Sequence, residues 1–260
     1  MALLTVAVRD ALFVHWPVDA DALAAHVPDP LAPEAFDGSG WVSAVALENR
    51  VSPGATALPG PFRGRFPQLN FRTYVTAGDD PGVYFFSLDS GRRLPAVAGR
   101  RLFGLPFHHA RVRLTRRDDG FTFRSRRRGA PSAHFGARYH PTGGTYRAAP
   151  GTLDAFCVEH TRYYVPTAED RRAGAVPSLD SGAVQSLDSG AGGADGREGV
   201  RVGTIERDPW PLRPVDATVR RNTLFEAADL PAPTADPVTH YSPGVEMAVE
   251  PLGAGPGTVD

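Results

Sequence analysis

Apolar and polar positions alternate most regularly between residues 66 and 114 of this chain. Leu69, Phe71, Thr73 and Val75 interleave with Asn70, Arg72, Tyr74 and Thr76. Successive side chains of a strand point to opposite faces, so the pattern predicts a strand with one apolar face and one polar face. The polar face carries an amide, a guanidinium and a phenol. Residues 78–82 supply a Gly/Asp/Pro turn, and residues 83–88 supply a mostly apolar returning strand. Residues 92–103 read as a short helix that tolerates Pro95 only in its first turn. Residues 105–114 return to strand, with His108 and His109 near its start. The predicted order is β-β-α-β.

The same reading extends in both directions. Residues 3–8 predict a strand, followed by an apolar run over residues 12–16. Asp19 is placed to cap a helix that Pro28 ends. Asp37-Gly38 marks a turn before a strand over residues 41–47. Residues 51–67 are too rich in Pro and Gly for regular structure and predict a long loop. Strands at residues 110–115 and 121–126 flank an Asp-Gly turn. A further strand pair is expected at residues 135–139 and 145–148. Thr152 is placed to cap a helix reaching His160, with Cys157 on its apolar side as a small buried residue. Strands follow at residues 161–165, 200–205 and 245–249, with a short helix over residues 222–228.

Residues 167–199 break the pattern. Ser178-Leu179-Asp180-Ser181-Gly182-Ala183 repeats as Ser186-Leu187-Asp188-Ser189-Gly190-Ala191, amid further Gly, Ala and Asp. So little apolar surface does not offset the entropy of ordering, and a low-complexity surface loop is expected. The remainder predicts one domain over residues 1–252, with residues 253–260 a frayed tail.

Composition narrows the function more than the fold. With 53 of 260 residues Gly or Pro, many short strands and turns are favoured over long helices. A single cysteine excludes an intrachain disulfide and a multi-thiolate metal site. Net charge is −1, so no global field draws in nucleic acid or an acidic membrane. No apolar run approaches the roughly 20 residues of a membrane helix. A soluble, cytoplasmic protein is expected, with no membrane partner and with homo-oligomerisation left open. All 28 basic residues are arginine; no lysine occurs. Arginine stays protonated, so no side chain here forms a Schiff base.

Familiar catalytic signatures are missing. There is no GxSxG elbow, no Gly-rich loop ending in lysine and no HExxH. His108 and His109 are adjacent, face opposite sides of a strand, and do not converge on one ion, so no metal and no cofactor are expected. Arg111, Arg113, Arg116, Arg117, Arg124, Arg126, Arg127 and Arg128 cluster on the 110–126 hairpin. Without an aromatic stacking platform the cluster reads as a solvated face, not a nucleic-acid site.

Several blocks carry a family resemblance: Gln68-Leu69-Asn70-Phe71-Arg72-Thr73-Tyr74-Val75, Pro81-Gly82-Val83-Tyr84-Phe85-Phe86-Ser87-Leu88-Asp89, and Arg100 followed by Leu105-Pro106-Phe107. Ala137-Arg138-Tyr139 with Pro141-Thr142-Gly143, Pro150-Gly151-Thr152-Leu153 and Trp210-Pro211-Leu212 continue it. The chain resembles the YqjF-like family, a domain of unknown function related in fold to acetoacetate decarboxylase. The resemblance implies an α+β, mainly antiparallel β-cone or barrel with a few short helices. In the related decarboxylases a lysine follows a Gly-aromatic-Pro run, whereas Gly104-Leu105-Pro106 is followed here by Phe107. Gln68 stands where the family commonly shows glutamate. Both departures remove reactive groups, so Schiff-base decarboxylation is not expected.

Two functional expectations follow. One is a cone cavity binding a small carboxylate or carbonyl compound through Gln68, Asn70, Arg72, Asp89, Arg100 and Phe107. The other is an enzyme of unknown reaction using His108 or His109 as acid–base group and arginine for substrate charge. If Arg72 is buried it needs a counter-charge, and Asp89 or a bound anion is expected to supply it.

Overall fold

The computed structural model describes residues 4–52, 64–118, 120–129, 131–167 and 199–254. In chain order the elements are β1 (Leu4–Val18), α1 (Ala20–Ala24), β2 (Leu31–Pro33), β3 (Gly40–Ser52), β4 (Gly64–Ala77), β5 (Asp80–Ser90), α2 (Arg93–Phe103), β6 (Phe107–Arg117), β7 (Gly120–Arg127), β8 (Ala133–Pro141), α3 (Leu153–Val158), β9 (Arg162–Pro166), β10 (Val200–Arg207), β11 (Val215–Asn222), α4 (Leu224–Ala227), β12 (Val238–Val249) and β13 (Gly253–Ala254). The fold is α+β and mainly antiparallel.

The strands close on themselves. β5 pairs with β9, and the order continues through β10, β12, β1, β3 and β4, which pairs back with β5. A closed sheet has no free edges, and this one is a cone-like ring rather than a clean barrel. From β5 a parallel pairing leads to β6, and β6-β7-β8-β11 form an antiparallel sheet folded over the outside of the ring. Leu12, Val14, Trp16, Val42, Ala44, Ala46, Leu69 and Phe71 of the ring pack there against Ala110, Val112, Phe123, Phe135 and Ala137. The alternate residues, among them Phe13, Trp41, Val45, Tyr74, Val83, Phe85 and Leu88, point into the cone, where Phe156, Cys157, Tyr163, Trp210 and Leu212 meet them. Period-2 alternation thus builds two cores, one on each face of the same strands.

Most predicted elements are present. Asp19 caps α1 by accepting the Ala22 N–H at 2.8 Å. Thr152 caps α3 through Ala155 N at 3.3 Å. Pro95 is the third residue of α2, where its missing N–H breaks no helical bond. Gly99 lets α2 lie against β6, because an added Cβ would overlap the Phe107 ring. The two apolar runs at the start are one long strand, β1, whose pairing with β3 slips between Arg9 and Leu12 around the left-handed Asp10.

Other expectations are corrected. Residues 145–148 do not pair with residues 135–139: Tyr146 bridges Leu212, and β8 pairs with β7 and the unpredicted β11. Of the expected loop over residues 51–67, both ends are strand, and residues 53–63 lie outside the described residues. Of the expected loop over residues 167–199, residues 168–198 also lie outside. The tail expected to fray starts as β13, paired with β10, and residues 255–260 are not described.

Candidate functional site

Strand register gathers polar side chains on the inner face of the cone. His15 of β1 stands opposite Ser43 of β3, and Ser43 stands opposite Arg72 of β4. The neighbouring row runs His240, Phe13, Val45, Asn70, Leu88 and Phe107 across β12, β1, β3, β4, β5 and β6. Directly opposite residues have Cβ atoms about 5 Å apart, so the two rows form one continuous surface. α3 packs against it, with the Phe156 ring 4.8 Å from that of Tyr74.

A hydrogen-bonded chain crosses this surface. His15 Nδ1 lies 2.6 Å from Ser43 Oγ, Ser43 Oγ lies 2.6 Å from the Tyr74 hydroxyl, and that hydroxyl donates to the Cys157 carbonyl at 2.7 Å. His15, Ser43 and Tyr74 are fully buried. Beside them His240 Nε2 meets Asp154 at 2.9 Å, and its ring centre is 5.3 Å from that of His15. Burial, reinforced by His240 and Arg72, holds His15 well below its ordinary pKa, so the ring is neutral. Burial raises the Tyr74 phenol, which therefore stays protonated. Burial likewise pushes the Cys157 thiol up to about 12, which denies it the thiolate a nucleophile needs.

Arg72 enters from the same face. Its Nη2 donates to the Cys157 carbonyl at 3.3 Å, and its guanidinium lies 5.8 Å from the Tyr74 ring centre. α3 ends at Val158, so its last carbonyls lack helical donors and carry the negative end of the helix dipole. Its buried Nε–H has no partner, and among the described residues no carboxylate lies within ion-pair distance. Four further inward groups are also unpartnered: His15 Nε2, His240 Nδ1, His160 Nδ1 and the Tyr163 hydroxyl. Buried polar atoms are almost always satisfied, so this group of unpartnered atoms sets the inner face apart from the rest of the core.

The predicted site residues divide between two faces. Gln68, Asn70, Arg72 and Phe107 share the inner face; Asn49 Nδ2 donates to Gln68 Oε1 at 2.9 Å, and Gln68 Nε2 donates to Asn70 Oδ1 at 2.6 Å. Asp89 does not pair with Arg72. It faces the outer sheet, where Arg127 Nε donates to it at 2.8 Å and Ser125 at 2.9 Å, while Arg127 Nη2 donates to Ser87 at 2.8 Å. One strand step separates Asp89 from Leu88, and that step reverses the side chain. His108 is opposite Asp89 on the same outer side, so it does not stand beside Gln68 and Asn70. Burial, with Arg127 and Arg100 nearby, lowers it to about 4. His109 and Arg100 are exposed. Sequence reasoning missed His15, Ser43, His160 and His240. The available signal was a single polar residue at an inward position of an otherwise apolar strand, as in Phe13-Val14-His15-Trp16 and Trp41-Val42-Ser43-Ala44-Val45. Among the described residues no three His, Cys, Asp or Glu side chains are placed to hold a metal, and no helix is long and apolar enough to cross a membrane.

Comparison with known proteins agrees with this architecture. The family model DUF2071, described as an uncharacterized conserved protein, matches residues 5–177 and 194–246. The uncharacterized protein YqjF of Bacillus subtilis (strain 168) is 30% identical over 246 residues, covering 94% of this chain and 89% of YqjF. Among solved structures, the enduracididine biosynthesis enzyme MppR complexed with pyruvate superposes with a TM-score of 0.60 at 13% identity, over 97% of this chain and 90% of that one. An acetoacetate decarboxylase-like enzyme from Sphingomonas wittichii RW1 gives 0.57 at 14% identity, over 97% and 93%. Acetoacetate decarboxylase from Legionella pneumophila gives 0.54 at 13%, over 97% and 88%. At these identities the likeness establishes the fold alone.

Proposed function

The chain belongs to the DUF2071 family and carries an acetoacetate decarboxylase-like fold, and we propose that its cone binds a small carboxylate at Arg72. The observation that carries this reading is the inward guanidinium with a buried, unpartnered Nε–H and no carboxylate of the described residues to neutralise it. The half-buried guanidinium is met by one carbonyl and the Tyr74 ring but by no counter-charge of the described residues, and an anionic ligand supplies one. Arginine also presents two parallel donors to a carboxylate, which fixes orientation as well as charge. Asn70, Phe107 and Leu88 provide the adjoining wall. The pyruvate seen in MppR, a carboxylate on the same fold, supports the ligand class. Chemistry through a lysine Schiff base has no counterpart here, because the 260 residues contain no lysine.

Titration calorimetry with a panel of small carboxylates tests this reading. Wild type binds at least one of them, and Arg72→Met abolishes that binding while leaving the melting temperature unchanged or raised. Removing the guanidinium forfeits one hydrogen bond to the Cys157 carbonyl but also relieves a half-buried cation that has no counter-charge, and the two offset. A stability loss on the order of 3–5 kcal/mol in Arg72→Met would show that the guanidinium is structural.

A further inference from the structure

The protons of the buried chain can be assigned from its geometry. The Tyr74 hydroxyl has one proton, and the carbonyl of Cys157, which accepts only, takes it at 2.7 Å. The 2.6 Å contact between Ser43 and Tyr74 is then a hydrogen bond only if Ser43 donates its own proton to Tyr74. Ser43 has none left for His15, so the 2.6 Å contact between them requires His15 Nδ1–H to donate to Ser43 Oγ. His15 is neutral, so its Nε2 is a bare lone pair. At His240 the Asp154 carboxylate accepts only, so Nε2–H donates to it at 2.9 Å. His15 Nε2 is buried and unpartnered, as is His240 Nδ1. Beside the Arg72 guanidinium the inner surface therefore offers one free acceptor, His15 Nε2; the unpartnered Tyr163 hydroxyl lies on β9, packed over Gly203.

We propose that the cone selects a short hydroxycarboxylate, with the carboxylate on Arg72 and the hydroxyl donating to His15 Nε2. This inference rests on the carboxylate-binding reading above and adds the second functional group. An oxo acid satisfies Arg72 equally well but brings a carbonyl oxygen, a lone pair, against the His15 Nε2 lone pair. Their repulsion and the continued lack of a proton disfavour it. A site built to hydrogen-bond a hydroxyl discriminates strongly against the analogue that lacks one, because its own buried groups stay unpaired. The Asn49–Gln68–Asn70 relay does not supply the missing donor to His15, since it lies further along β4, with Asn70 in the row of Leu88 and Phe107.

Calorimetry on the full chain with matched pairs tests the inference: lactate against pyruvate, 3-hydroxybutyrate against acetoacetate, with propionate and butyrate as deoxy controls. At least one hydroxy acid binds on the order of tenfold more tightly than both its oxo partner and its deoxy control. An oxo or deoxy acid binding as tightly as its hydroxy counterpart overturns the inference and leaves the carboxylate reading standing. Binding of none of the six overturns both. Histidine 15N chemical shifts of the unliganded wild type give an independent readout: His15 is expected as the Nδ1–H tautomer, and an Nε2–H tautomer would overturn the assignment. Ser43→Ala removes the nearer of the two groups that fix the ring, the other being the Tyr74 hydroxyl at 3.1 Å, so it lowers the hydroxy-to-oxo ratio while carboxylate binding persists. An unchanged ratio in that variant contradicts the role given to Ser43.

Discussion

Asp89 and Arg127 form a buried ion pair at 2.8 Å whose remaining polar atoms are met by Ser125 and Ser87. Every oxygen of that carboxylate has a donor, which marks a structural pair. Arg127→Met should cost about 3–5 kcal/mol in denaturant unfolding, because it strands a buried carboxylate. A loss below about 1 kcal/mol would contradict it. The contrast with Arg72 is what separates structure from site. His108 sets a pH dependence of the same region. Its pKa falls from 6.5 to about 4 on folding, through burial first and then Arg127 and Arg100. Between those values the unfolded chain binds a proton that the folded protein refuses. Stability therefore falls as pH drops from about 6.5 to 4, and His15, also lowered, adds to the slope. Melting curves across that window should show a shallower slope in His108→Gln than in wild type; an unchanged slope contradicts the assignment. At this scale the sequence disclosed Gln68, Asn70 and Arg72, which share one strand. It did not disclose His15, Ser43 and His240, because three separate strands meet only through long-range register.

At the scale of elements, local pattern carried far where partners were near in sequence. The β4-β5-α2-β6 order was legible because alternation, the Gly78-Asp79-Asp80 turn and Pro95 all agree. β11 was not, although Val215, Ala217 and Val219 alternate with Asp216, Thr218 and Arg220; the prolines just before it mask the run. Residues 145–148 show the reverse case, strand-like residues whose partner, Leu212, leaves room for a bridge only. The arginine cluster gains a definite arrangement from register. Arg111 stands opposite Arg126, Arg113 opposite Arg124, and Arg126 opposite His134, all on the exposed face. Burial and the charges of Arg221 and Arg126 lower His134, a sign of crowded positive charge. Like charges directly opposite are destabilising, so Arg126→Glu should raise stability by about 0.5 kcal/mol at low salt. The gain should shrink in 1 M salt, where screening acts within about 3 Å. A loss of stability at low salt would show that the arginines are compensated.

At the scale of the whole molecule, closure of the ring makes the fold tolerant at one point. β9 and β10 pair from Pro166 and Val200 inward, and Thr167 N–H donates to the Gly199 carbonyl at 3.1 Å. The composition of residues 168–198 predicts that a short Gly/Asn turn in their place leaves the β9–β10 pairing intact. Shortening the connection lowers its closure entropy, a gain on the order of 1–2 kcal/mol. The melting temperature should stay level or rise, and a fall of several degrees would contradict this account. The fold class was legible because many short alternating strands with Gly/Pro turns admit few other architectures. The site was only half legible, since a cone interior is assembled from strands that share a face and not a neighbourhood in sequence.

The central claim is that Arg72 waits inside the cone for an anion. Its Nε–H resonance in 15N-labelled protein reports on that atom directly. On titration with a hydroxycarboxylate, that signal should move downfield with saturation and become protected from solvent exchange, matching the calorimetric affinity. A ligand that binds while the Arg72 signal stays unmoved would contradict the account.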